Sequence, residues 1–337
     1  MRATLIVFFL SVSVALGQDV SRVFHLHHID KDQDLNEFAT MIRAVADVPK
    51  MSVDAAQKTL SMSGTAVQIA VAEWMYTELD RQTLPEFATK EFKVPNKEDD
   101  VVRVFFLHNT KTIQDFQEVT TTVRTITEMR RVFTFNTARA LAVRGTVDQI
   151  AATEWMVREL DQPADAKRTG PREYQMTDTT LRPEPAVRIL YLPYTSTIQQ
   201  FQEVATMVRT IGEIRRVFTY NTPRALIVRG TPDQVALAAW FATELGKPVT
   251  AGTASTPYHY PVPDRSGENL VRVFYVKDVP TVAAFQQLAT QIRTTAQTRR
   301  LFTYNETKAV AVRGTEAQLA LVDQMLKDRA LQLASNQ

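Results

Sequence analysis

A seventeen-residue phrase, "RRVFTFNTARALAVRGT" at 130–146, returns as "RRVFTYNTPRALIVRGT" at 215–231 and "RRLFTYNETKAVAVRGT" at 299–315. A chain written this way is built from repeated units, and a repeated residue serves the repeated fold before it serves a unique site. Gly145, Gly230 and Gly314 are 85 and 84 residues apart, and one further step of 81 residues back reaches Gly64 in "PKMSVDAAQKTLSMSGT". The same step takes Arg103 to Arg22 and Trp155 to Trp74. There are four copies, the first the most diverged, which suits a 337-residue chain too long for one ordinary domain.

Each later copy opens on a run rich in β-branched and aromatic residues, "VRVFFL" (102–107), "VRILYL" (187–192) or "VRVFYV" (271–276), which reads as a strand. The next segment sets Ile113, Phe116, Val119, Val123 and Ile126 at steps of three and four, matched by Ile198, Phe201, Val204, Val208 and Ile211. This spacing predicts a helix with one buried stripe. The phrase then splits at Asn136-Thr137 into two apolar runs, a hairpin signal. Thr65 with Gln68, Thr146 with Gln149, Thr231 with Gln234 and Thr315 with Gln318 match the capping box, and Pro232 stands at a first helical position. The glycine before each threonine is read as allowing a sharp reversal with positive φ. The unit is therefore β-α-β-β-α over about 60 residues, a size at which a domain folding alone is marginal.

The expected organisation is a leader at 1–17, modules at 20–80, 101–161, 186–246 and 269–334, and linkers at 81–100, 162–185 and 247–268. The linkers hold most of the prolines and read as extended, semi-stiff chain. Each also carries an aromatic, Phe92, Tyr174 or Tyr260, shortly before the next strand, so free linker and docking onto a neighbouring module both stand as readings. The first residues, "MRATLIVFFLSVSVALGQDV", have the layout of a secretory signal peptide cleaved after Gly17. The alternative, an uncleaved anchor, would need an apolar run of roughly 20 residues. Cysteine is absent, which excludes disulfides, a thiolate nucleophile and cysteine-ligated metal. The formal net charge is +2, or +1 once Arg2 leaves with the leader, too small a field to gather nucleic acid or anionic membrane at long range.

The order of elements, with phrases such as "NTPRALIVRGTPDQVALAAWFATEL" at 221–245, resembles the N-terminal periplasmic domains of secretins, which are short βαββα modules with a KH-like arrangement. The resemblance covers the four units and not the linkers, and is strongest at 217–245. It implies an α+β fold of four tandem KH-like, secretin-N-like modules joined by proline-containing linkers. It also implies a periplasmic setting and a module type used for side-by-side packing into rings or for docking partner proteins. A secretin continues into a β-rich pore domain that these residues do not carry, so no pore function is carried over.

His25, His27 and His28 fall in the first strand, with His25 and His27 on one face at a spacing compatible with metal ligands. No acidic or further histidine partner repeats with them, and the other copies hold Phe106, Tyr191 and Tyr275 near that position, so a plain strand face and no metal or other cofactor are expected. Arginines repeat at Arg130, Arg131, Arg139 and Arg144, at Arg215, Arg216, Arg224 and Arg229, and at Arg299, Arg300 and Arg313, with Lys308 in the place of Arg139 and Arg224. Strand alternation turns Arg144 away from Leu141 and Val143, which predicts an exposed basic stripe on each module. Such a stripe would bind an anionic polymer, nucleic acid or cell-wall glycan, or form a solvated face or protein contact balanced by Asp148, Glu154 and Glu159. The Gly-x-x-Gly loop of KH-type nucleic-acid binding is missing from every copy, which favours the second reading.

The second helix of the third copy, "QVALAAWFATEL", is apolar nearly all round, and Trp240 and Phe241 point about 100° apart. Trp74, Trp155, Trp240 and Phe241 are therefore candidates for module–module or subunit contact, with a plain core as the alternative. Gln324 replaces the tryptophan in the fourth copy, as suits a unit that ends a stack. No nucleophile elbow, phosphate-cradling loop or paired histidine–acid motif occurs. The expected function is that of an exported, non-enzymatic scaffold or adaptor of the cell envelope, periplasmic or alternatively extracellular. It would act on protein partners or on itself, with anionic-polymer binding as the second reading.

Overall fold

The computed structural model describes residues 19–97, 99–163, 172–177, 183–261 and 266–335, so the expected leader lies outside the described residues. Among the described residues no helix is long and apolar enough to cross a membrane. The first copy runs β1 (Val20–His25), α1 (Asp32–Ala46), β2 (Lys50–Asp54), β3 (Thr59–Gly64) and α2 (Ala66–Leu79). After β4 (Phe92–Lys93) the second runs β5 (Val101–Phe106), α3 (Ile113–Thr127), β6 (Arg131–Phe135), β7 (Ala140–Gly145) and α4 (Val147–Leu160). After β8 (Arg172–Gln175) the third runs β9 (Ala186–Tyr191), α5 (Ile198–Gly212), β10 (Arg216–Tyr220), β11 (Ala225–Gly230) and α6 (Pro232–Glu244). After β12 (Tyr258–His259) the fourth runs β13 (Leu270–Tyr275), α7 (Val282–Thr295), β14 (Arg300–Tyr304), β15 (Ala309–Gly314) and α8 (Glu316–Ser335). The fold is α+β, with the βαββα order in all four modules.

In every module the last strand of the hairpin is central: the first sheet has the order β1-β3-β2. The later three gain an edge strand from the segment ahead of them, giving β4-β5-β7-β6, β8-β9-β11-β10 and β12-β13-β15-β14. A short stretch of each intervening segment is thus docked onto the sheet of the module that follows it. Phe92 pairs with Val102, Tyr174 with Val187 and Tyr258 with Val271. Tyr258, and not the expected Tyr260, is the counterpart of Phe92 and Tyr174; Tyr260 is buried with its hydroxyl donating to the Gly212 carbonyl at 3.0 Å.

The chain divides into two compact units, Met1–Phe106 with Phe133–Arg144, and Leu107–Val132 with Gly145–Gln337. In the first, one core runs from Phe38, Ile42 and Val71 to Val104, Phe106 and Ala142, joining the helices of the first module to the sheet of the second. Phe38 and Phe135 meet edge to face there at 5.8 Å. In the second unit, α3 packs on β10 and α5 on β14. Phe274, Val310 and Val312 of the last sheet belong to its own module's core, while Val273, Tyr275 and Ala311 from the same strands belong to the core of the third module. A module of this size completes its core with its neighbour's sheet, the packing logic of repeat proteins. Accordingly β11 and β15 are buried along their whole length, whereas β1 and β2 of the first module are largely exposed.

The capping boxes form at Thr65, Thr146 and Thr231, and the Thr315–Gln318 pair makes the same two bonds. Each glutamine does more than cap: Gln68 Nε2 donates to the Asp47 carbonyl at 2.6 Å and Gln149 Nε2 to that of Thr127 at 2.9 Å, tying the end of one helix to the start of the next. Two expectations are corrected. None of Gly64, Gly145, Gly230 and Gly314 has positive φ; they are glycine for want of room, since a Cβ on Gly230 would lie 2.6 Å from Gln234 Oε1 and 2.9 Å from its Cβ. Ile113 and Ile198 do not share the buried stripe but are 56% and 53% exposed, because they directly follow the helix N-caps and point away from the core. Gly230→Ala should therefore lower the free energy of unfolding by roughly 1–3 kcal/mol, as other overpacked sites do. The check is a lower urea midpoint at unchanged slope.

Candidate functional site

The arginine that closes each repeated phrase defines the site. Arg144, Arg229 and Arg313 turn away from their own module's core as strand alternation requires, yet they are buried, with Arg313 only 2% exposed. The expected exposed stripe is corrected at these positions, because the preceding module covers that face of the sheet. Arg144 Nη1 donates to the Val45 carbonyl at 3.0 Å, Arg229 Nη1 to that of Ile126 at 2.7 Å and Arg313 Nη1 to that of Ile211 at 3.1 Å. These carbonyls lie in the last turn of α1, α3 and α5, where unpaired acceptors and the negative end of the helix dipole favour a cation. The guanidinium is held from behind as well. Arg144 Nε and Nη2 form a two-point pair with Asp100 at 2.8 Å each, while Nε of Arg229 and of Arg313 donates to the Glu184 and Glu268 carbonyls at 2.9 Å.

An acid follows each of these helices in the left-handed conformation: Asp47, Glu128 and Glu213, with φ of 56°, 58° and 51°. A non-glycine residue costs about 1–2 kcal/mol there, and a carboxylate opposes the helix dipole. The next module's arginines offset both. Asp47 lies 3.6 Å from Arg144, Glu128 is hydrogen-bonded by Arg216, and Glu213 lies 2.7 Å from Arg300 and 3.2 Å from Arg313.

The hairpin asparagine supplies a second contact of the same kind. Asn136 donates through its backbone N–H and its Nδ2 to Glu37, Asn221 does so to Glu118, and Asn305 to Glu203 at 2.9 and 2.8 Å. The amides of Asn221 and Asn305 are oriented by their own modules, since Oδ1 accepts from Gln202 at 3.0 Å and from Gln286 at 2.9 Å. The neighbouring hairpin residue adds Thr137 to Asp34 and Thr222 to Asp115, and in the last interface Gln200 donates to Glu306. The sequence offered one signal for these pairs: each interior module carries both the asparagine and the acid at fixed places.

The other expected residues separate into inward and outward groups. Trp74 stacks on Phe92 with ring centroids 5.3 Å apart, while Trp155 meets Tyr174 at 5.4 Å and Trp240 meets Tyr258 at 5.1 Å with the rings tilted, so each tryptophan meets an aromatic of the chain's own docked strand. Phe241 is buried in the core shared by the third and fourth modules. Arg216 and Arg300 pair with Glu184 and Glu268, Arg131 is half-buried, and Arg130, Arg215 and Arg299 are exposed. The backbone N–H groups of His27 and His28 donate to the Asp80 carboxylate at 2.8 Å each, as those of His108 and Asn109 do to Asp161. Burial pushes the Asp161 carboxyl up, against these hydrogen bonds, which pull it down. Among the described residues no three histidine or acidic side chains are gathered to hold a metal.

Burial alone would raise the Asp100 carboxyl, but the hydrogen bonds and charge of Arg144, with Lys97 adding to them, hold it below the usual carboxylate range. Its stabilisation is therefore complete above the unfolded carboxyl value of about 3.9 and is lost as pH falls through the depressed folded value. Arg144→Ala should cost about 3 kcal/mol near neutral pH, because it leaves the partly buried Asp100 with only the more exposed Lys97 beside it. Denaturant midpoints taken from neutral pH down to about pH 2.5 should fall less steeply on the acid side for the variant than for the unaltered protein. Equal acid slopes would contradict the pairing.

No family model and no curated protein matches this chain. Among solved structures it is similar to ExeD of Aeromonas hydrophila, at 15% identity over 68% of this chain and 41% of that one, with a TM-score of 0.17. It is also similar to the N-terminal domain of the secretin XcpQ from Pseudomonas aeruginosa, at 14% identity over 43% and 63% of the two chains, with a TM-score of 0.19. A structure of XcpQN012 matches at 15% identity over 68% of this chain and all of the other, with a TM-score of 0.23. The chain thus spans less than two thirds of ExeD and of the XcpQ N-terminal domain. Similarity at this level carries no argument, and the α+β fold of repeated βαββα modules stands on the structure itself.

Proposed function

We propose that this chain is an exported, non-enzymatic scaffold or adaptor of the cell envelope that holds protein partners against a repeated surface. The observation that carries the reading is the recurrence of one contact set, arginine on helix end and asparagine on glutamate, between successive modules. Its consequence is a surface with the same residues at regular places. In the second unit Ile113, Ile198 and Val282 are exposed at the first position of α3, α5 and α7, and Arg130, Arg215 and Arg299 are exposed ahead of β6, β10 and β14. Such a ladder suits multipoint binding of a protein, where weak contacts at each module add through effective concentration. The resemblance of the sequence to secretin N-terminal modules favours the periplasm as the setting.

Binding of an anionic polymer is the weaker reading, because eight of the eleven arginines expected on the stripe face acids or carbonyls of the chain itself or are withdrawn from the surface. The test is retention of periplasmic protein on the immobilised chain, residues 18–337, as salt is raised to about 0.5 M. Retention should survive the salt, and Ile113→Asp with Ile198→Asp and Val282→Asp should lower it about tenfold or more, the loss of roughly 1.4 kcal/mol or more. Ligands released steeply by salt and indifferent to the three substitutions would contradict the reading and favour the polymer.

A further inference from the structure

The contact set that joins modules has two sides, and each end of the series lacks one of them. The acceptor side is a first helix with a glutamate, two residues facing the next sheet, and an acid in the left-handed position after the helix. The first module supplies Glu37, Met41, Val45 and Asp47, and the third supplies Glu203, Met207, Ile211 and Glu213. At the same places the fourth module has Gln287, Gln291, Thr295 and Gln297. Met41, Val45, Met207 and Ile211 are fully buried, whereas Gln287, Gln291, Thr295 and Gln297 are all exposed. Gln297 keeps the left-handed backbone, with φ of 48°, but has lost the charge that made an arginine its natural neighbour.

The donor side is a sheet face with an apolar centre, an arginine at the end of its middle strand and an asparagine in its hairpin. In the second module Val102, Phe106, Ala142, Arg144 and Asn136 hold these places. Stepping back 81 residues, the first module has Ser21, His25, Ser61, Ser63 and Ala55. Strand pairing sets Ser21 opposite Ser63 and Val23 opposite Ser61, so these residues share one face of the first sheet. Val23 keeps the apolar character of Val104 but is 58% exposed, where Val104 is fully buried. A polar outer face on terminal units is how repeat arrays stay soluble, and an apolar face with no neighbour would be an aggregation site.

We infer that the stacking interface is closed at both ends, so that a second copy of this chain does not add to either the first sheet or the last pair of helices. Self-assembly, where it occurs, uses a different surface. This goes beyond the scaffold reading and holds whatever the chain binds.

Residues 18–337 test it by light scattering. The mass should stay that of one copy across about a 100-fold range of concentration, or grow in a way that Ser61→Asp with Thr295→Asp leaves untouched. Growth abolished by that pair of charges would overturn the inference. A grafted chain makes the converse test. Gln287→Glu, Gln291→Met, Thr295→Ile and Gln297→Glu restore the acceptor side, and Ser21→Val, His25→Phe, Ala55→Asn, Ser61→Ala and Ser63→Arg restore the donor side. Its mass should rise several-fold with concentration over the same range. A grafted chain that is folded by circular dichroism yet stays a single copy would also overturn it.

Discussion

A positive charge placed on the end of a neighbour's helix organises this protein. Arg144, Arg229 and Arg313 each leave their own sheet and satisfy a carbonyl in the last turn of the preceding module's first helix. An arginine suits the task because its planar fork donates in several directions at once and its charge is weakly hydrated, so it can be taken from water at less penalty than lysine. The rest follows from that placement. The helix can end in an acidic left-handed residue without a net penalty, the glutamate one turn into the helix can receive the next hairpin's asparagine, and the sheet face around the arginine can be apolar. Modules of about 60 residues, marginal when alone, thereby share their cores.

Much of this was legible in the sequence, and the illegible part has a physical pattern. Period, element order and capping boxes depend on local rules, and they appear where the residues predict them. What local reading missed is what a residue does for a distant module. Asn136 looks like a turn residue, and it does sit in a hairpin; its inter-module role shows only when Glu37, nearly a hundred residues earlier, is brought beside it. Arg144 alternates outward correctly, but outward from one module is inward to the stack. The glycine of each phrase was misread for a related reason: backbone freedom is a local explanation, whereas the structure needs space for the capping glutamine.

The tryptophans lie between these cases. Their candidacy came from a helix too apolar for one small sheet, and the excess apolar surface is indeed covered, by an aromatic on the chain's own docked strand. A short strand from each segment that reads as a linker, Phe92–Lys93, Arg172–Gln175 and Tyr258–His259, is thereby part of a sheet. In module three the loop after the first strand shows how such positions change together: where the first two modules tie this loop to Asp80 or Asp161, the third has Gly246, and a Cβ there would lie 2.9 Å from the ring of Tyr194.

The most direct test of the account is a double-mutant cycle across the last interface, with Glu203→Ala, Asn305→Ala and the pair compared by urea unfolding. The two residues are 102 apart in sequence and joined by two hydrogen bonds at 2.9 and 2.8 Å, and charged–neutral bonds of this kind in a partly buried site couple by about 1–2 kcal/mol. A coupling of that size would establish that the repeated phrase holds one module to the next. Effects that add to within about 0.5 kcal/mol would mean that the two residues act independently, and that the repetition serves each module alone.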